Sequence, residues 1–336
     1  MANNVETRDV AVEIKDLKKY FPVKSKTLFG EKNFVKAVDG VNFKIYKGET
    51  FGLVGESGCG KTTLGRTILR LEEPTGGEIY INGREISGIS QGKLRPFRPT
   101  MQIIFQDPYS SLDPKQTVGQ IVGEALLSHK MFKKGQELED YVLDVMDKCG
   151  LDDYMIHRYP HQFSGGQRQR IGIARAIALN PDFIVADEAV SALDVSIQSQ
   201  ILNLLARLKK EQDLTYLFIS HDLSVVKHIS DRIGVMYLGE MVEMGPADAM
   251  YHAPYHPYTK ALVSAVPSTE KDTSKNRIIL KGDIPSNVNP PSGCKFHTRC
   301  PLATEKCRQE VPVWEEVEEG RFVACHHYEQ TKDMGK

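Results

Sequence analysis

The chain carries no excess of either charge. Its 43 lysines and arginines stand against 44 aspartates and glutamates in 336 residues, which leaves no basic polyelectrolyte face for nucleic acid. No apolar run reaches the roughly 18 residues of a membrane-spanning helix, because arginines, acids or glycines interrupt each one. The start, Met1-Ala2-Asn3-Asn4-Val5-Glu6-Thr7, lacks the basic-plus-apolar pattern of a signal peptide. Internal repeats are absent as well. A soluble cytoplasmic protein is expected, with any membrane role exercised through partners. The length suits one large domain with an appendage.

What is present is phosphate chemistry. Gly55-Glu56-Ser57-Gly58-Cys59-Gly60-Lys61-Thr62 fits G-x-x-x-x-G-K-[ST], after the apolar run Phe51-Gly52-Leu53-Val54 and before Thr63-Leu64-Gly65-Arg66-Thr67-Ile68-Leu69. That context is strand, loop, helix, as the motif requires. Glycines let backbone N–H groups turn inward around phosphates and the helix N-terminus adds positive potential. Gly55, Glu56, Ser57, Gly58, Cys59, Gly60, Lys61, Thr62 and Thr63 are therefore the expected nucleotide contacts. Lys61 would reach the β- and γ-phosphates, and the Thr62 hydroxyl would ligate Mg²⁺. Further along, Asp182-Phe183-Ile184-Val185-Ala186-Asp187-Glu188 is an apolar strand ending in two carboxylates, where an open α/β sheet places its ligand crevice. Asp187 suits Mg²⁺, because a hard cation needs anionic oxygen. Glu188 suits the water that attacks the γ-phosphate.

Between loop and acidic strand stands Phe163-Ser164-Gly165-Gly166-Gln167. It resembles the signature of ATP-binding cassette (ABC) ATPases, proteins that use ATP to clamp two subunits together. The resemblance extends in order along the chain. Met101-Gln102-Ile103-Ile104-Phe105-Gln106-Asp107-Pro108 matches the Q-loop, so by this resemblance Gln106 would be a further Mg²⁺ ligand and catalytic residue. Ser191-Ala192-Leu193-Asp194 resembles the D-loop, and His221, after Tyr216-Leu217-Phe218-Ile219-Ser220, matches the switch histidine. Ser164, Gly165, Gly166 and Gln167 would close over the partner's nucleotide, with Asp194 beside it. In Lys18-Lys19-Tyr20-Phe21 the aromatic that stacks on adenine is Phe21 by offset, with Tyr20 as the fallback.

The implied fold is α/β: a P-loop NTPase core of the ABC type with an antiparallel β subdomain, a helical subdomain and a cysteine-containing C-terminal extension. Val41-Asn42-Phe43-Lys44-Ile45 and Glu78-Ile79-Tyr80-Ile81 alternate as half-buried strands, the second closing on the hairpin signal Asn82-Gly83. The helical subdomain is expected from about 107 to 170, with Gly150 as a stop signal and Ser164-Gly165-Gly166 opening a helix. Ile197, Ile201, Leu204, Leu205 and Leu208 predict a core-facing helix. The nucleotide-binding domain would cover 11–265 and the extension 266–336. A compact insert between loop and acidic strand, without heptads, separates the chain from coiled-coil DNA-repair relatives.

The segment Ala253-Pro254-Tyr255-His256-Pro257-Tyr258-Thr259-Lys260-Ala261-Leu262 resembles the His-Pro-Tyr region of oligopeptide and dipeptide importer subunits. With Asp107-Pro108-Tyr109-Ser110-Ser111-Leu112 and the D-loop region it is similar to their F-type subunit. Ala189 departs from the family's usual proline. The resemblance implies an ATPase energising peptide import, with a paralogous D-type ATPase subunit, two membrane permease subunits and an extracellular peptide-binding protein as partners. It would sit on the cytoplasmic face of the membrane as a peripheral subunit. Another cargo (nickel, a sugar, an antimicrobial peptide) and a soluble non-transport ABC ATPase stand as alternatives. Four of the six cysteines, Cys294, Cys300, Cys307 and Cys325, fall in the tail. A cytosolic chain argues against disulfides, and four thiolates suit Zn²⁺ or a [4Fe–4S] cube. Relatives with this tail hold such a cube, so it is favoured over zinc, with four reduced structural thiols as the third reading.

Overall fold

The structure, a computed structural model, describes residues 8–23, 33–266 and 277–334. The Met1 to Thr7 start and the 267–276 head of the expected extension lie outside them. Two compact units interleave along the chain: one takes the described parts of 1–11, 45–49 and 88–218, the other 12–44, 50–87 and 219–336. The second contains the phosphate loop and is called the loop unit below. The first contains the acidic strand and is called the acidic-strand unit. Among the described residues no helix is long and apolar enough to cross a membrane.

The loop unit contains nearly all of a four-stranded sheet, ordered Phe34–Tyr46, Val10–Pro22, Gly76–Ile81, Arg84–Glu85. Val12 faces Ile81 and Ile14 faces Ile79 in antiparallel register, and all four are buried. Alternation thus puts one face of both strands into the core. The expected hairpin is present: Asn82 and Gly83 take φ of 48° and 73°, the left-handed pair that a two-residue Asn-Gly turn demands. The strand expected over 41–45 is longer, because Ala37 and Val38 bury upstream of Val41, Phe43 and Ile45.

The same unit holds five more strands in the order Glu315–Glu318, Arg321–Val323, Glu240–Pro246, Arg232–Tyr237, Thr50–Val54. Phe51 to Val54 pair in parallel with Arg232 to Val235. Met244 pairs antiparallel with both Gly234 and Phe322, so the chain's last hairpin extends the sheet that carries the phosphate loop.

In the acidic-strand unit, Met101–Ile104, Phe183–Asp187 and Thr215–Ile219 form a run in which Met101 faces Phe183 and Ile104 faces Ala186 in parallel. Phe183–Asp187 is buried throughout, as expected of a strand covered on both faces. Its longer helices are Val118–Ser128, Gln136–Lys148, Gly165–Ile177 and Val195–Gln212. The helical stretch expected from 107 begins only at Val118. Residues 107–117 form turns instead, with the Asp107 carboxylate accepting the Tyr109 N–H at 2.8 Å and Thr117 opening the first helix through a capping box. Gly150 at φ 68° ends the next helix, as its position predicts.

Candidate nucleotide site

In the loop unit, the fully buried strand Thr50–Val54 delivers the chain into the phosphate loop. Gly55, Gly58 and Gly60 have φ of 153°, 78° and 109°. A Cβ on Gly60 would stand 2.0 Å from the Ala37 carbonyl oxygen, and one on Gly55 2.3 Å from that of Met236. Glycine is required at both for conformation and for space. The helix Lys61–Ile68 starts without a side-chain cap, which suits its N-terminus to an anion. Lys61 is 5% exposed, and its ammonium donates to the Gly55 and Glu56 carbonyls at 2.7 and 3.1 Å. Burial pushes the Cys59 thiol up even though Lys61 lies beside it.

Three residues absent from the sequence-derived site also touch this loop. The Glu56 N–H donates to the Tyr258 hydroxyl at 2.9 Å, Arg299 donates to both Glu56 carboxylate oxygens at 2.6 and 3.0 Å, and the Asn287 amide donates to the Gly58 carbonyl at 3.1 Å. The His-Pro-Tyr resemblance draws attention to Tyr258 but gives it no role. Nothing local marks Arg299 or Asn287.

Phe21 is half-buried, with the Lys19 ammonium 4.6 Å from its ring centre. The Tyr20 hydroxyl hydrogen-bonds to Asp39, and burial followed by that carboxylate pushes its pKa upward. His221 is exposed beyond buried Ser220, whose N–H donates to the Leu53 carbonyl at 3.1 Å.

In the acidic-strand unit, Asp187 is buried at the end of its strand. Glu188 follows in the left-handed region at φ 49°, a conformation that costs a non-glycine residue and re-aims its side chain. Its carboxylate accepts the Gln106 amide at 2.9 Å, and its carbonyl accepts the Ser191 N–H and hydroxyl at 3.1 and 3.0 Å. Ala189 is buried. Ser164 caps the helix Gly165–Ile177 through a capping box with Gln167. A Cβ on Gly166 would meet Ile197 at 2.7 Å, so the signature packs directly against the helix after the D-loop. Asp194 caps that helix, accepting the Ile197 N–H at 3.0 Å.

Two arginines of the signature helix reach the Q-loop segment, which sequence reasoning missed. The Arg168 guanidinium lies 3.6 Å from the Tyr109 ring centre and its Nε donates to the Pro160 carbonyl at 2.7 Å. Arg175 donates to the Ser111 carbonyl and stands 5.5 Å over Phe105. Arginine stacks on aromatic faces and donates in a fixed fork, so Q-loop and signature are mechanically joined inside one unit.

The tail cysteines lie in one neighbourhood. The Cys294 N–H donates to the Cys307 carbonyl at 2.8 Å, and the Cys325 sulfur accepts the His327 N–H at 3.4 Å. Burial first, and then the nearby Cys294, Cys300 and Cys307, push the Cys325 thiol up to about 12; Cys294 is likewise raised to about 12 and Cys300 to about 11, chiefly by burial. Among the described residues no three His, Cys, Asp or Glu side chains group to hold a metal ion.

Residues 38–191 match the family model described as ABC transporter, and residues 242–307 match that of the oligopeptide/dipeptide transporter C-terminal region. The chain is 53% identical over 324 residues to the oligopeptide transport ATP-binding protein AppF of Bacillus subtilis, covering 96% of this chain and 98% of that one. It is 48% identical over 327 residues to the dipeptide transport ATP-binding protein DppF of Haemophilus influenzae, covering 97% and 99%. Among solved structures, the dimeric post-hydrolysis state of the ATP-binding cassette MJ0796 bound to ADP and Pi superposes with a TM-score of 0.61 at 29% identity, over 70% of this chain and 98% of that one. The chain belongs to the ABC transporter family of ATP-binding proteins, in its oligopeptide/dipeptide transport branch.

Proposed function

We infer that this chain is the ATP-hydrolysing, F-type subunit that energises import of di- and oligopeptides through a membrane ABC transporter. The observation that carries the reading is the oligopeptide/dipeptide C-terminal match at 242–307, joined to relatives of that name along nearly the whole chain. The nucleotide-binding domain covers 11–265, its helical subdomain about 107–170, and the extension 266–336. Backbone N–H groups of the phosphate loop and the Lys61 ammonium bind the phosphates of ATP, the ammonium leaving its loop carbonyls for the more negative ligand. Thr62, Gln106 and Asp187 are the residues that would hold Mg²⁺, which would supply charge neutralisation to the phosphates. Glu188 accepts a proton from the attacking water, and His221 donates to the γ-phosphate.

Ser164, Gly165 and Gly166 act on the nucleotide of a paralogous D-type partner, and closure of the two ATPase subunits moves two permease subunits that receive cargo from a peptide-binding protein outside. The chain works at the cytoplasmic face of the membrane. Coupling would run through the segment from Gln106 to Pro114, after which the chain enters a cleft of about 770 Å³ lined by Lys115, Thr117, Gln120, Leu127, Leu138 and Ile156.

In the tail, Cys294, Cys300, Cys307 and Cys325 would hold a [4Fe–4S] cube. Backbone N–H groups of Phe296, Leu302 and His327 point at three of these sulfurs, the donors that a buried thiolate needs. The group would supply folding free energy and not hydrolytic chemistry.

Uptake of labelled di- and oligopeptides by a strain lacking this chain tests the reading. Restoration by the wild-type chain and not by Lys61→Ala is expected, and undiminished peptide uptake in the deletion strain, with no paralogue substituting, would refute it.

A further inference from the structure

The phosphate loop is held from outside by residues that come some two hundred positions later. Glu56 is the focus. Its N–H is taken by the Tyr258 hydroxyl at 2.9 Å and its carboxylate by the Arg299 fork at 2.6 and 3.0 Å. Two residues on, the Gly58 carbonyl is taken by Asn287 at 3.1 Å, and the Asn287 carbonyl accepts the Lys36 N–H at 3.1 Å. The Cys59 carbonyl accepts the Gly239 N–H at 2.9 Å. A loop that binds phosphate through inward-facing N–H groups depends on the orientation of each peptide plane. Its glycines leave those planes free to turn, and these outward contacts hold them.

The anchor itself is rigid. Arg299 has a side chain only 7% exposed, and its N–H donates to the Phe296 carbonyl at 3.0 Å. Phe296 is buried with its ring 5.2 Å from Tyr237 and 5.3 Å from Tyr258, and those two rings are 4.8 Å apart. Lys295 fixes the same turn by donating to Asp39 and the Leu238 carbonyl at 2.9 and 3.1 Å and pairing with Glu240 at 2.8 Å. A bidentate arginine–carboxylate pair with its arginine buried and its carboxylate only 26% exposed is more directional than a fully exposed ion pair.

We propose that the C-terminal turn at residues 294–300 is part of the nucleotide-binding machinery, with Arg299 acting through Glu56 as a positioning residue that holds the phosphate loop in its phosphate-binding shape. The proposal rests on the reading of that loop as the ATP site. It makes the importer-type extension a determinant of ATP affinity, and not only a late addition to the sheet. Arg299 touches no substrate, so its loss is expected in binding and KM while kcat at saturating ATP stays within about a factor of two of wild type.

MgATP titrations of the full chain, with thermal midpoints recorded alongside, test this. Arg299→Ala is expected to weaken MgATP binding about tenfold or more, the scale of a lost charge-assisted pair. Arg299→Lys, which keeps the charge and loses the fork, falls in between. The double variant Arg299→Ala with Glu56→Gln is expected to be no weaker than the worse single, because both act through one contact. If Arg299→Ala does not fold, Glu56→Gln, which keeps the volume and removes only the charge, carries the same expectation. Wild-type affinity in a folded Arg299→Ala or Glu56→Gln, or losses that multiply in the double variant, overturns the proposal while Lys61→Ala still abolishes binding. Binding by Lys61→Ala equal to wild type would instead overturn the nucleotide reading, and this proposal with it.

Discussion

Gln106 donates its side-chain amide to the Glu188 carboxylate at 2.9 Å. The residue expected to meet the metal thus also holds the residue expected to activate water. Glu188 is held further by its backbone, since φ 49° and the two Ser191 contacts leave its peptide little freedom. Because Arg168 and Arg175 fasten the 105–111 segment to the signature helix, a displacement of Gln106 is mechanically a displacement of the signature.

Glu188→Gln preserves the shape and the contact with Gln106 but cannot accept a proton. Turnover by the assembled transporter is expected to fall by about 10²–10⁴, the usual share of a general base, with MgATP affinity nearly unchanged. Phosphate release measured beside nucleotide binding checks it. Hydrolysis at the wild-type rate would remove Glu188 from its role.

Much of this arrangement was legible because it depends on the conformational freedom of single residues. Asn82-Gly83, Gly150 and Ser164 announce a hairpin, a helix stop and a helix cap, and each takes the corresponding geometry. The phosphate loop and acidic strand were legible for a related reason, since their chemistry is contained in a few consecutive positions. The Arg299–Glu56 pair was not. It joins residues 243 positions apart, and an ion pair of that separation leaves no period or spacing to read. Ile197 shows a subtler limit: it fits the helical period, yet it lies in the first turn, half-buried, and packs against Gly166 while Ile201, Leu204, Leu205 and Leu208 form the core.

Ser164 has two duties that can be separated. As a helix cap it contributes about 1 kcal/mol, so Ser164→Ala should lower the thermal midpoint by a few degrees. As part of the signature it would act on a partner's nucleotide, so Ser164→Arg should leave MgATP binding by the isolated chain nearly normal while lowering turnover of the assembled complex by about an order of magnitude or more, the scale of a donor lost at a transferring phosphate. Abolished MgATP binding by a folded, isolated Ser164→Arg chain would show the signature acting in cis.

Glu243 and His256 are both fully buried, and their titrations oppose each other. Burial pushes Glu243 up to about 7 although it accepts the N–H groups of Tyr255 and His256 and stands 3.8 Å from Arg321. Burial pushes His256 down to about 3. Between about 4.5 and 7 the folded chain keeps a proton on Glu243 that the unfolded chain has released, so this group's contribution falls as pH rises. Between about 3 and 6.5 the unfolded chain takes a proton on His256 that the folded chain refuses, so that contribution rises. Glu243→Gln removes the falling arm. The stability of the variant relative to wild type should therefore climb between about pH 4.5 and 7, by up to about 3 kcal/mol. Thermal midpoints across that range read the difference directly, and parallel curves for the two proteins would disprove it.

The tail cysteines offer the sharpest chemical test. The Cys294, Cys300 and Cys325 thiols are raised chiefly by burial, so without a bound group these three stay protonated near neutral pH, and a cation that ionises them must outweigh that desolvation. Iron in a cube would do this, and the N–H groups aimed at the sulfurs would stabilise the resulting charge. Anaerobic purification of the full chain is expected to yield brown protein with about four iron and four sulfide per chain. One zinc without sulfide would replace the cube by a zinc site, and metal-free protein would leave four reduced thiols. The extension's contact with the phosphate loop adds a second readout. Cys300 follows Arg299 directly, and Cys294 precedes Lys295, so a group bound there stiffens the turn that holds Glu56. Replacing Cys294, Cys300, Cys307 and Cys325 with serine should therefore weaken MgATP binding as Arg299→Ala does. A four-serine chain that folds and binds MgATP like wild type would confine the cysteines to the tail.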